Sequence, residues 1–273
     1  MFNTPLWLMW NWHPAVLVAV GLLAVGYPVL LRRTGTQGRG GSPWAFYGGL
    51  LLLLLSTESP IDHLGEIFLF WVHMVQHMLL TFTVPPLILL GLKGHLPDIP
   101  KPLLPVARFF TQPIVAALLF NGVFSAFHLP SLYEWAISNR FFHSIEHLAL
   151  VGLAFLFWTP IIEPHRQLSH LSEPGKIVYV FLSGLLMIPV FAGVTFADVA
   201  LYSSHADAPR IMRLTPLEDQ QLGGIVMKLW GGLVYALVLV VAFYRWVAQD
   251  PAGKADPQLS VLPRREAPSR EGA

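Results

Sequence analysis

The stretch from Phe70 to Gly91, FWVHMVQHMLLTFTVPPLILLG, constrains this chain more than any other. It is apolar enough to sit in a bilayer, yet it carries two imidazoles, His73 and His77, four residues apart. On a helix that spacing puts both rings on one face, one turn apart. Polar side chains at such depth are costly and usually mark a site.

Composition agrees with a lipid setting. Hydrophobic residues make up 54% of the 273-residue chain and charged residues only 12%, about half the share of an ordinary soluble domain. A net charge of +1 gives no basic surface for nucleic acid. No Walker loop, dinucleotide fingerprint or serine-triad signature supports nucleotide-driven transport or hydrolysis. The absence of cysteine excludes disulfides and thiolate ligands, so metal binding must rest on His, Met and carboxylates. Met1 to Trp12 lacks a basic n-region and a cleavage site, and reads as mature sequence.

The pattern predicts an all-α, polytopic membrane protein with a seven-transmembrane-helix bundle. The predicted spans are Pro14 to Leu31, Pro43 to Ser59, Leu64 to Leu92, Arg108 to His128, Phe141 to Ile162, Lys176 to Val199 and Leu222 to Val247. The second is the shortest in apolar content. The third is overlong, and Pro85-Pro86 should kink or end it. Residues 14–247 thus form one transmembrane domain, preceded by an outward-facing segment 1–13 and followed by a disordered cytoplasmic tail, 248–273. Basic residues cluster in alternate loops (Arg32, Arg33 and Arg39; Lys93, Lys101 and Arg108; Arg166 and Lys176) and in the tail. The N-terminus is therefore expected outside and the C-terminus in the cytoplasm. That orientation places His13, His63, His73, His128, His143, His147 and His205 toward the outside, with His77 near the midplane. His95, His165 and His170 fall on the inner side, the last two as solvated loop residues.

Two HxxxH pairs stand out, His73 with His77 and His143 with His147. Imidazoles one turn apart on facing helices can converge on copper, zinc or iron, or can serve as interhelical hydrogen-bonding groups. His63 and His128, on the same membrane side, suit an entrance. Met74 and Met78 each follow a histidine and would favour Cu(I) as soft ligands, although core packing also accounts for them. Asp62 suits either an entry or ring-orienting carboxylate or a helix cap. Glu146, between two histidines, needs a metal, a histidine or a cation such as Lys228, which can equally snorkel to the interface. Asp219 opens the last span, where capping explains it.

The run HMVQHMLLTFTVPPLILLG, the preceding Ser59-Pro60-Ile61-Asp62, the segment His128 to Tyr133, the His143–His147 pair and DQQLGG before Met227 together resemble the CtaG family of cytochrome c oxidase assembly factors. The likeness is to the Bacillus-type polytopic kind associated with caa-type oxidases, and it covers Pro43 to Trp246. It is not to the single-span copper chaperone of the same name, which relies on a cysteine pair. The resemblance implies a multi-pass protein of the bacterial plasma membrane, needed for active heme-copper oxidase and acting in copper insertion. The positions it implies are Asp62, His63, His73, His77, His128, His143, His147 and Asp219. The expected cargo is copper, as Cu(I). The expected partners are oxidase subunits or an extracytoplasmic copper donor, and the lipid bilayer. The expected first ligands are His73, His77, His143 and His147, with no chemical turnover required. Competing readings are a membrane di-iron oxygenase, a b-type heme protein and a metal-free chaperone for oxidase subunits.

Overall fold

The computed structural model of the chain describes residues 5, 8–34, 40–168 and 171–249. Arg39, His170 and the tail from residue 250 onward, with the expectations attached to them, lie outside the described residues. Ala248 and Gln249 continue the last helix, two residues past the expected boundary.

Among the described residues the regular structure is helical. The elements are α1 (Pro14–Thr34), α2 (Pro43–Glu58), α3 (Pro60–Ile67), α4 (Phe70–Met78), a π turn (Leu79–Thr83), α5 (Val84–Leu92), α6 (Leu104–Phe110), α7 (Pro113–Phe127), α8 (Pro130–Ile137), α9 (Arg140–Ile162), α10 (Glu173–Leu186), α11 (Ile188–Thr195), α12 (Ser203–Ala206) and α13 (Pro216–Gln249). Five helical stretches are long and apolar enough to cross a membrane: Pro14–Thr34, Phe70–Leu92, Arg140–Ile162, Glu173–Thr195 and Pro216–Gln249. A sixth results if α6 and α7, bent by 59° at their junction, count as one. At 16 residues α2 is shorter than these. Its side is nonetheless set by its ends: Ser42 N–H donates to the Leu90 carbonyl at 3.2 Å, and Glu58, sixteen residues on, meets His13.

Ser-Pro pairs write several of the boundaries. The Ser42 hydroxyl accepts the Ala45 N–H and Pro43 starts α2; Ser59 accepts the Ile61 N–H and Pro60 starts α3. Ser59 therefore caps α3, and Asp62 is free for another role. The last helix opens with a reciprocal box in which Thr215 Oγ1 accepts the Glu218 N–H and Glu218 accepts the Thr215 N–H.

The third span begins at Phe70 rather than Leu64, because the chain is extended at Leu69 and α3 is a separate helix. No side chain near Leu69 caps α4. The carboxylate of Asp219, on α13, accepts the Phe70 and Trp71 N–H groups at 3.2 and 3.0 Å. At about 1.5 Å per residue, His73 then lies only about 4.5 Å inside the span and His77 about 10 Å. Pro85-Pro86, expected to kink or end the span, leave Phe70–Leu92 one continuous helical stretch, with a π turn just before them. Neither Pro85 nor Pro86 can donate to the Thr81 carbonyl, in α or π geometry, and the Trp158 indole N–H supplies that bond instead at 2.9 Å.

The main apolar core joins α4, the π turn, α7, α9, α10 and α13 through Met78, Phe82, Phe120, Phe157, Tyr179 and Tyr235. Leucine, valine and phenylalanine side chains of α1 and α13 such as Val25, Leu233 and Val240 remain exposed on the outside. An apolar exterior of that kind suits lipid as solvent.

Candidate metal centre

Helix α4 has two faces of opposite character. Met74 and Met78 are fully buried in the apolar core, and a Cβ on Gly223 of α13 would fall 2.5 Å from the Phe70 ring and 3.1 Å from the Met74 side chain. The other face carries His73, Gln76 and His77. Helix α9 repeats that pattern with His143, Glu146 and His147, so that HMVQH on one helix faces HSIEH on the other. The shared H-x-x-(Gln/Glu)-H spacing was the signal in the sequence for Gln76, which the pairs of histidines alone did not reveal.

The four paired histidines meet. Ring centroids are 4.3 Å apart for His73–His77, 4.2 Å for His143–His147, 5.3 Å for His73–His143, 5.9 Å for His73–His147 and 5.2 Å for His77–His147. Glu146 reaches into the same space: one oxygen lies 3.3 Å from His143 Nδ1 and the other 3.8 Å from His77 Nε2. Two groups, His73 with His143 and His147, and His73 with His77 and Glu146, each bring one ligand atom per residue within 4.8 Å of the others.

Hydrogen bonding separates histidines that hold the fold from those that do not. His205 is satisfied: its Nε2–H donates to the Gly65 carbonyl at 2.8 Å, and Nδ1 faces the Tyr133 hydroxyl at 3.4 Å. Burial lowers the pKa of His205, against an opposing pull from the Gly65 carbonyl. By contrast, both ring nitrogens of His73 and His77 are buried without a hydrogen-bond partner. Nε2 of His128, His143 and His147, one oxygen of Glu146 and the Gln76 carbonyl oxygen share that condition. His143 and His128 each tie Nδ1 to an acceptor, Glu146 and the Phe124 carbonyl, and leave Nε2 free. That is the arrangement in which an outer partner fixes the tautomer of a metal-ligating ring. An unpaired buried polar group costs about 1–3 kcal/mol. A cluster of them, mostly lone-pair acceptors, fits a cation.

The other predicted positions divide. His128, expected at the entrance, is buried at the end of α7, 5.5 Å from the His77 ring, and its carbonyl accepts the Tyr202 hydroxyl. His63 is half-buried beside Phe68, 6.0 Å away, and takes no part in the ring contacts that link the cluster. Asp62 braces the site from behind: it accepts Gln76 Nε2–H at 2.6 Å and Asn11 Nδ2–H at 2.5 Å, and Gln76 also donates to the Ser56 carbonyl. Burial raises the Asp62 carboxyl above its ordinary range, and the Gln76 bond opposes this. Asp219 caps α4 rather than its own helix, with Arg210 3.6 Å away. Lys228 does not meet Glu146; its ammonium stands 5.9 Å from the Phe191 ring centre. His165, expected to be solvated, is buried, with Nδ1 accepting the Gln167 N–H and Nε2 3.8 Å from Asp98. Tyr133, 5.6 Å from the His73 ring, completes the wall of the site and was not singled out by the sequence.

Apolar helices of spanning length around a buried cluster of five imidazoles and a carboxylate define a multi-helix membrane protein with an intramembrane polar site. Residues 22–249 match the family described as cytochrome c oxidase caa3 assembly factor (Caa3_CtaG), and the chain belongs to that family. It is also 24% identical over 268 residues to uncharacterized proteins of Mycobacterium bovis and Mycobacterium tuberculosis, and 25% identical to one of Mycobacterium leprae. Those matches take in 89% of this chain but only 40% of each relative's length. No solved structure matches it.

Proposed function

We propose that this protein assists cytochrome c oxidase assembly in the bacterial plasma membrane by holding copper in the histidine cluster and passing it to an oxidase subunit. The observation that carries this reading is the convergence of buried imidazole nitrogens that no hydrogen bond in the fold satisfies. His73, His77, His143 and His147 would hold the ion, with His128 and Glu146 beside them. Release requires only exchange of ligands. Met74 packs against α13 and Met78 lies in the apolar core, so imidazole, not thioether, underlies the preference for copper, and both Cu(I) and Cu(II) suit it. A membrane di-iron oxygenase draws on more clustered histidines than the five that meet here, and His165 pairs with Asp98 instead of joining them, which argues against that reading. Rings in mutual contact leave no slot for a porphyrin between axial ligands, which argues against a b-type heme.

The same proposal includes seven spans, with α2 as the seventh and the site opening outward. Packing supports it: α2 runs from the Leu90 end of the third span to its His73 end, a path of about 24 Å. The basic residues Lys93 and Lys176 share the opposite end of the bundle with Glu163, at 4.0 and 2.7 Å.

Copper content of the protein purified in mild detergent tests the reading. Wild type is expected to retain copper and to lose it on acidification, because imidazole must be neutral to ligate. His73→Ala with His77→Ala is expected to abolish binding. Unchanged stoichiometry in the double variant would defeat the assignment, and a metal-free wild type after copper reconstitution would leave the chaperone reading.

A further inference from the structure

We propose that the open groove between α7 and α11 is where a transmembrane helix of the recipient oxidase subunit docks, next to His128 at the edge of the histidine cluster. This inference rests on the copper reading above and adds the surface at which the recipient meets the site. Helix α7 packs on α9 and α11 on α13, and between them runs a groove of about 550 Å³. Gly122, Ser125 and Ala126 line one side, Pro189, Val190 and Gly193 the other. His128, at the end of α7, and Tyr202 line it as well.

Packing within the chain does not account for the two glycines. Gly122 and Gly193 are exposed, and a Cβ on either would have no described atom within 4 Å. Glycine inside a helix costs stability relative to alanine, and neither offsets that cost by close contact with a neighbour. In lipid, small residues four apart let a second helix approach closely, and Gly122 and Ala126 have that spacing. Other glycines, such as Gly21 of α1, also meet open space, but these two line one groove with a buried imidazole in its wall. That imidazole, His128, is 4% exposed, with Nδ1 2.6 Å from the Phe124 carbonyl and Nε2 without a partner among the described residues. Its ring lies 5.5 Å from that of His77. Tyr202, whose hydroxyl donates to the His128 carbonyl at 2.8 Å, stacks toward Tyr133 at 4.5 Å, and Tyr133 is 5.6 Å from His73. His128 thus borders both the groove and the cluster, and a helix seated there would stand one side chain away from the ion. Because the chain belongs to an oxidase assembly family, a membrane-embedded oxidase subunit is the occupant that fits.

Association of the full chain with copper-depleted cytochrome c oxidase in proteoliposomes tests the surface, with the copper stoichiometry of the isolated chain measured alongside. Gly122→Leu with Gly193→Leu fills the groove from both sides where there is room for the side chains. It is expected to keep the wild-type copper stoichiometry and to weaken association by about tenfold. Gly21→Leu, equally unobstructed but on α1, is expected to associate as wild type does. A photocrosslinker at Leu186, on the rim of the groove, is expected to capture an oxidase subunit, identified by its peptides. Unchanged association in the double variant, equal weakening in Gly21→Leu, or loss of copper by the double variant would each overturn the proposal. So would crosslinks only to lipid, to a second copy or to another segment of the same chain. A wild type that takes up no copper would sink the function proposed above, whereas copper held normally with association indifferent to the groove sinks only the docking surface.

Discussion

The two ends of the bundle treat buried polar groups in opposite ways. Away from the histidine cluster, Lys93 donates to the Ile162 carbonyl at 2.7 Å, and Lys176 pairs with Glu163 and Glu173 at 2.7 and 2.9 Å. His95 meets Thr34 Oγ1 at 3.0 Å, and His165 accepts the Gln167 N–H. Outside the cluster one oxygen of Glu173, Asn121 Oδ1, Ser183 Oγ, the Tyr235 hydroxyl and Trp71 Nε1 are the exceptions among the described residues. At the cluster, four buried histidines and the half-buried His147 leave most of their ring nitrogens without a partner. Burial of a polar side chain therefore says little by itself; whether its atoms are satisfied distinguishes a group that holds the fold from one that awaits a guest.

That contrast can be broken from either side. The largest effect is expected for Lys176→Met, which leaves Glu163 and Glu173 without their shared cation and should cost about 3–5 kcal/mol, read as a fall in the midpoint of thermal unfolding in detergent. Gly65→Ala comes next. A Cβ there would sit 2.9 Å from both the nitrogen and the Cα of His73, so α3 must move off α4. A loss of about 1–3 kcal/mol is expected, together with weaker copper binding, and unaltered affinity would show that the α3 backing does not set the site. Asp219→Ala removes the carboxylate that caps α4 and should cost about 1–2 kcal/mol. Its copper affinity should fall as the first turn, which carries His73, frays. The smallest effect is expected for His73→Leu in the metal-free protein, where unfolding should shift by less than about 0.5 kcal/mol or toward greater stability, since no hydrogen bond is lost. The same variant should lose the stabilisation that added copper confers on wild type. Marked destabilisation without metal would mean that His73 is part of the fold's own polar network.

Much of the fold was legible because apolar length and Pro or Ser punctuation are local. The stretches Pro14–Thr34, Arg140–Ile162 and Pro216–Gln249 lie close to where hydropathy puts them. The start of the third span was not legible, because the group that caps the start of α4 comes from Asp219, about 150 residues along the chain, while α3 before it is a separate helix begun by Ser59. The paired histidines were visible from their spacing. The separate fates of His128, His205 and His63 were not, since all three look alike in sequence and differ only in which carbonyls and hydroxyls surround them.

By itself the sequence determined that this chain is helical and apolar enough for lipid, that its imidazoles come in pairs one turn apart, and that no thiol could join them. These follow from residue type and helical period, which need no partner. Tertiary structure alone decided that HMVQH and HSIEH face each other, that Met74 and Met78 turn into the apolar core and that Asp219 caps a distant helix. Each depends on the rotation and register of one helix against another, and those are set by side-chain packing across the whole bundle.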